Sequence, residues 1–388
     1  MRRITNIRLP RRCAGTKTPA ERWWALVDDD GCLQALTPMG VGTSVAGDNW
    51  QGDWLSPMGV DLQINGGLGL AFPELQHRDL PQLLALLDRL WEDGVEAISP
   101  TLVTCGIAPL RQALAVLNTA RAAAQPRRCR LLGAHLEGPF LADARRGAHP
   151  REHLCRPSLE ALHARINGYE HTIALVTLAP ELEGAAAVID RLHALGITVA
   201  LGHSDANAEQ ASQAFAAGVG MITHAFNAMP GLHHRAPGPL AEACRRGGVA
   251  LGLIADGVHV HPTMAVLLHQ LAGDQLVLVS DALAPYGLAD GQHRWDERVL
   301  LVEKGTCRLA DGTLAGVTLP QLEGACRLAA WGHNPEASIW AATMAPRAVI
   351  TAGIPLDAAD QMLGCSLDAL LRWHWDPTEN QLHWQHAA

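Results

Sequence analysis

The chain has 388 residues and a formal charge of −9. That length holds one large α/β barrel or two to three ordinary domains, and the acidic balance argues against nucleic acid or an anionic membrane as the main partner. The nine cysteines are an odd number without a CxxC pair or regular spacing; this argues against a disulfide framework or zinc ribbon and for a soluble protein in the reducing cytoplasm.

The N-terminus, MRRITNIRLPRRC, is basic but has no apolar core of a signal peptide. No apolar stretch reaches the ~20 residues that span a bilayer. Residues 1–57 carry Trp23, Trp24, Trp50 and Trp54, and WWALVDDDGCLQAL reads as a hairpin. From residue 58 the pattern changes. Apolar runs predict strands near 59–64, 96–102, 131–137, 173–179, 197–202, 220–225, 249–255 and 276–281. Between them lie helical segments such as RDLPQLLALLDRLWEDG, IAPLRQALAVLNTARAAA, AAAVIDRLHALG and ANAEQASQAFAAG, and Gly94, Gly196 and Gly218 are the expected stops. Eight alternating units fit a (β/α)8 barrel better than an open doubly wound sheet. No Gly-rich dinucleotide fingerprint follows the first strand. The C-terminal LLRWHWDPTENQLHWQ, with Trp373, Trp375 and Trp384, reads as a second hairpin. The expectation is an α/β chain: a distorted TIM-like barrel over 58–345, with residues 1–57 and 346–388 joined in a small β-sandwich domain. Two separate fringes packed on the barrel are the alternative.

Four of the runs end on a residue that binds metal or moves a proton: Glu137, His203, His224 and Asp281. One carboxylate and two imidazoles give three ligands and leave a position open, a catalytic rather than a structural set. Water on such a divalent ion has its pKa lowered from 15.7 to about 7. A single strand-end histidine is usually a hydrogen-bonded loop residue, but three candidates on the barrel's functional face make a site. Asp281 can take the water's proton and hand it to a leaving amine; its plainer reading is a helix N-cap. In GVDLQINGGLG the first strand offers Gln63 and Asn65, neutral amides and poor ligands, where binuclear barrel hydrolases often carry an HxH pair. Lys17 and Lys304 are the only lysines, and neither falls at a barrel strand end, so a carbamylated-lysine bridge is excluded. One metal is the consistent count.

HAFNAMPGLHHRAPGPL holds Asn227, the Ala228 backbone and Arg235, donors suited to a phosphate or carboxylate. A solvated basic loop is the alternative there. His149, after the third strand, and His259, after the seventh, can reach the pocket mouth, one to polarise a carbonyl and the other to bind an anion.

In GVDLQINGG, HLEGPF, RRGAHP, GHSDAN, THAFNAMP with HHRAPG, IADGVHV, SDALAP and GTLAG, over residues 58 to 318, the chain resembles the N-acetylglucosamine-6-phosphate deacetylases of the amidohydrolase superfamily. The QxN first motif is similar to that family's single-metal branch. The resemblance implies a divalent ion on Glu137, His203 and His224, zinc first, with iron, manganese or cobalt also suited. It implies Asp281 as general base and then acid, Gln63 near the metal, and Ala148 and His149 at the substrate, with His149 facing the acetyl carbonyl. Asn227, Ala228, Arg235 and His259 match sugar and phosphate contacts, and Leu314, Ala315 and Gly316 match a substrate-lining loop. A homodimer is implied, with the arginine reaching across its interface.

The last motif reads LAGVTLPQ where the family has LAGS, which sets Val317 at the expected pocket rim. The termini match only loosely. The implied substrate is a phosphorylated N-acetyl amino sugar, with N-acetylglucosamine 6-phosphate ahead of its galactosamine epimer. A D-aminoacylase, a cyclic-amide hydrolase and an inactive sugar-phosphate sensor are the other readings.

Overall fold

The apolar runs in the middle of the chain become the staves of a barrel. The computed structural model describes residues 1–11, 21–40, 42, 45–296, 298–351 and 356–388; Cys13 and Lys17 lie outside them. We number the barrel strands β1 (Gly59–Ile64), β2 (Val95–Val103), β3 (Ala134–Glu137), β4 (Ile173–Leu178), β5 (Thr198–Leu201), β6 (Met221–Ile222), β7 (Ala250–Leu253) and β8 (Leu276–Leu278). Each pairs in parallel with the next. β1, β7 and β8 are buried along their whole length, which is why they read as unbroken apolar runs.

Closure between β8 and β1 is made above and below the usual ladder. Asp281 N donates to Gln63 O (2.8 Å) and Asn65 N to Ala282 O (2.7 Å). Lower down, the buried Gln321 side chain donates to Val60 O (2.6 Å) and Leu278 O (2.8 Å), bridging the two strands where they do not pair.

The outer helices follow the sequence pattern. In α1 (Leu80–Glu92), Leu83, Leu86, Leu87 and Leu90 form one buried stripe at helical spacing, each contributing about 1.5–3 kcal/mol by burial. Gly94 ends it at φ +81°, a left-handed stop that any Cβ would strain.

After β8 the chain makes a four-stranded antiparallel sheet that the sequence reading did not anticipate. Its strands are β9 (Gly291–Trp295), β10 (Arg298–Glu303), β11 (Thr306–Leu309) and β12 (Leu314–Val317), paired in that order. β12 meets the barrel through Leu283 N to Val317 O (2.9 Å). The sheet's apolar face, Trp295, Leu300, Val302 and Cys307, packs with Leu283 as a small core of its own.

Strands from both ends of the chain form two further sheets. One runs Leu33–Met39, Arg22–Val27, Arg2–Ile7, Asp48–Asn49; the other runs Gln381–His386, Leu370–Asp376, Trp54–Pro57. Bridges from Arg8 to Trp54 and from Cys32 to Ser366 connect them. Both hairpins therefore form as expected, and the fold class is a TIM-like barrel with a small β unit. Residues 346–350 belong to the helix Ala345–Ile350. Among the described residues, no helix is long and apolar enough to cross a membrane.

Candidate active site

The site lies at the C-terminal ends of the barrel strands, where a cavity of about 350 Å³ opens. Glu137 is the last residue of β3. His203 and His224 follow β5 and β6 by two residues, and Asp281 follows β8 by three. His203 (φ +49°), His224 (φ +26°) and Asp281 (φ +53°) all adopt a left-handed backbone. Non-glycine residues hold that conformation only where the surroundings impose it, and such strain collects at functional sites.

Glu137 Oε1 is 3.1 Å from His203 Nε2 and 3.1 Å from His224 Nε2, and the two nitrogens are 3.0 Å apart. The ring of His203 is fixed from behind, where Nδ1 donates to Arg145 O (2.8 Å). That bond puts the proton on Nδ1 and turns the Nε2 lone pair toward Glu137. A carboxylate oxygen and a nitrogen lone pair at hydrogen-bond distance, with no proton between them, form a donor set that a cation satisfies. Glu137, His149 and His203 also offer ligand atoms within 4.8 Å of one another. The set with His224 is tighter, and His149 is held aside by a hydrogen bond between Nδ1 and Thr104 Oγ1 (2.9 Å). This buried Glu/His/His cluster can hold a metal ion.

Electrostatics divide the groups. With no cation between them and the imidazoles protonated, burial disfavours the charge of Glu137, but hydrogen bonds from His203 and His224 outweigh it and hold the carboxyl well below its ordinary range. His224 is penalised by burial too, yet its bond to Glu137 raises its pKa. Burial first, and then the neighbouring His203, lowers His149 to about 3, so the ring is neutral. Asp281 is pushed up to about 6, first by burial and then by the charge of Glu137.

Two amides arrange the carboxylates. Gln63 Nε2 donates to Glu137 Oε1 (3.2 Å) and Asp281 Oδ1 (3.2 Å), and Asn65 Nδ2 donates to Asp281 Oδ1 (2.7 Å). These amides meet the site through their N–H groups and act as tethers. Lys304 sits in the turn between β10 and β11.

Asn65, Glu137, Ala148, His149, His203, His224, Asn227, Ala228, His259, Asp281, Leu314 and Ala315 all line the cavity. His259 is oriented by Asp256, Nδ1 to Oδ2 at 2.8 Å. Gln63 is fully buried beneath the site, and Gly316 packs against the Asp281 backbone so closely that an added Cβ would meet its carbonyl at 2.6 Å. Val317 is 1% exposed and packs inside, so it forms no part of the rim expected for it. Arg235 stands apart. It is exposed on the loop 231–237 and is not among the lining residues.

Sequence reasoning missed Thr104, Arg145 and Trp295. Thr104 and the Arg145 carbonyl orient histidines from distant loops, and no local pattern marks such contacts. Trp295 lines the cavity from the additional sheet.

A parallel barrel gathering a carboxylate, imidazoles and a buried aspartate at its C-terminal mouth defines the class of metal-dependent barrel hydrolases. No family model matches the chain. Curated relatives do. The chain is 35% identical to the N-acetylglucosamine-6-phosphate deacetylase of Vibrio furnissii over 74% of this chain and 71% of that one. It is 36% identical to the Bos taurus enzyme of the same name, over 75% and 73%. It is 33% identical to the N-acetylgalactosamine-6-phosphate deacetylase of Escherichia coli O157:H7, over 82% of each. A variant of the Mycobacterium smegmatis N-acetyl-D-glucosamine-6-phosphate deacetylase, solved with N-acetyl-D-glucosamine-6-phosphate, superposes with a TM-score of 0.80 at 27% identity. That match covers all of this chain and 98% of the other. The chain belongs to the N-acetylglucosamine-6-phosphate deacetylase family.

Proposed function

We propose that this enzyme hydrolyses the acetamide of N-acetyl-D-glucosamine 6-phosphate to D-glucosamine 6-phosphate and acetate. The observation that carries the reading is the convergence of Glu137, His203 and His224 beside Asp281 in one cavity. The first three would hold one divalent ion per subunit, zinc ahead of iron, manganese or cobalt. When bound, such an ion supplies Lewis acidity, lowering the pKa of water and drawing charge from a carbonyl.

The chain's own residues supply the rest. Asp281 takes the proton of the attacking water and returns it to the departing nitrogen, breaking the C–N bond to leave acetate and the free amine. Its pKa near 6 suits both halves of that exchange. In the tautomer that works here, His149 Nδ1 accepts from Thr104 N–H (3.4 Å) and the ring proton is on Nε2. Neutral His149 then donates to the carbonyl oxygen as charge develops on it. Asn227, the Ala228 backbone and His259 hold the sugar and its phosphate, with Ala148, Gln63 and the Leu314–Ala315–Gly316 segment around them. That remote binding keeps the amide in register.

Arg235 is assigned to the phosphate of a neighbouring subunit, in a homodimer. Its exposure outside its own cavity supports that assignment. The eight free thiols among the described residues support a cytoplasmic location.

Replacing Asp281 with Asn tests the mechanism. The expected result is a fall of about 10²–10⁴-fold in kcat/KM with metal content unchanged; near-full activity would remove Asp281 from the chemistry. The galactosamine epimer is the second reading, favoured by the relative that matches 82% of the chain. Parallel assays of the two sugar phosphates separate the epimers.

A further inference from the structure

The cavity lining is not chemically uniform. Its polar groups on the sugar side, Asn227 and His259, come from the loops after β6 and β7. Val103, Ala148, Leu283, Trp295 and Ala315 also line it, and these five belong to a single packed cluster built on the additional sheet. Trp295, the last residue of β9, is the largest of them and is 6% exposed.

One side chain, Arg298, fixes that indole. The Arg298 guanidinium lies over the Trp295 ring, 4.3 Å from its centroid, a cation–π contact. The same group donates from Nη1 to Ala148 O (2.7 Å), and from Nε (3.0 Å) and Nη2 (2.6 Å) to the Asp296 carboxylate. Ala148 precedes His149. The residue assigned to the amide carbonyl and the aromatic wall are therefore clamped together, and the indole cannot swing aside without breaking the clamp.

We infer that Trp295, held by Arg298, sets the length of acyl group the enzyme accepts. The inference rests on the deacetylase reading and deepens it. Ala148, next to His149, packs on the same cluster as Trp295 at the cavity wall, so the alkyl end of an acyl group whose carbonyl meets His149 would face this apolar side. A methyl fits the space in front of a fixed wall, and a longer chain must displace the tryptophan or tilt the amide away from Asp281. Arg298 is here a positioning residue, acting through Trp295 and the Ala148 backbone.

The test compares kcat/KM on the N-acetyl, N-propionyl and N-butyryl forms of glucosamine 6-phosphate, in wild type, Trp295→Leu and Trp295→Phe. Wild type should lose about tenfold or more per added methylene. Trp295→Leu should flatten the series to within a few fold while losing some acetyl activity, and Trp295→Phe, which disturbs the cluster less, should fall between. Equal loss on all three substrates in both variants would overturn the inference and make the indole a sugar contact or a structural support. A folded Trp295→Phe with the wild-type length profile would overturn it as well. Wild type inert on all three, with metal bound, would instead overturn the deacetylase reading.

Discussion

Two buried aspartates within one loop's reach of each other are held by different means. Asp281 accepts from two side-chain amides inside the cavity, whereas Asp61 lies below it and accepts from backbone, Gln63 N (3.1 Å) and Ser280 N (3.2 Å). Burial dominates at Asp61 and pushes its carboxyl from 3.8 up to about 7. The folded state thus binds a proton that the unfolded chain releases near pH 4. The stability that this proton lends is complete below the unfolded value and is lost as pH rises through about 7. Asp61→Asn keeps an acceptor for both N–H groups and carries no charge. Its melting temperature relative to wild type, at equal metal content, should therefore climb between pH 5 and pH 8. A difference that stays flat with pH would mean Asp61 is ionised throughout. At this scale the sequence was legible where a residue's identity carries the chemistry. Glu137, His203, His224 and Asp281 sit at strand ends and were found there. Thr104 and the Arg145 carbonyl were not, because their roles depend on which loop folds over which ring. Gln63 and Asn65 were read as poor ligands, and the structure shows what they do instead, which is to donate to the carboxylates.

At the scale of elements, periodicity located all eight barrel strands within a few residues, because two-sided burial leaves an unbroken apolar signature. The sheet β9–β12 was overlooked although it carries a signal. Lys304-Gly305 and Asp311-Gly312 are turn dipeptides between alternating runs, and Lys304, Gly305 and Gly312 all have positive φ. The barrel was expected to run to residue 345, and no element was assigned after its eighth strand. The β1–β8 seam was not readable at all, since Gln321 lies in the helix Gln321–Gly332, far along the chain from both strands it joins. Gln321→Leu fills the same space and leaves two carbonyls without this donor, at a cost of about 1–3 kcal/mol. The urea midpoint should drop accordingly, with kcat/KM on the acetylated substrate little changed in the folded protein. An unchanged midpoint would show that the seam does not depend on Gln321.

For the whole molecule, assembly and chemistry meet at Arg235. If the exposed loop 231–237 serves a neighbouring subunit, inactive chains should complement one another. Arg235→Ala and Asp281→Asn proteins, each nearly inactive, should regain activity when unfolded together and refolded as hybrids, since one site then receives both groups. Hybrids with only the activity of their parents would place Arg235 in its own subunit's site or in none. The family's chemistry itself is tested most directly by acetate release from N-acetylglucosamine 6-phosphate, with unphosphorylated N-acetylglucosamine alongside and bound metal measured on the same sample. The expected result is turnover of the phosphorylated sugar in strong preference, with about one ion per chain as a Glu/His/His site requires. A fully loaded protein that releases no acetate from either sugar would contradict it.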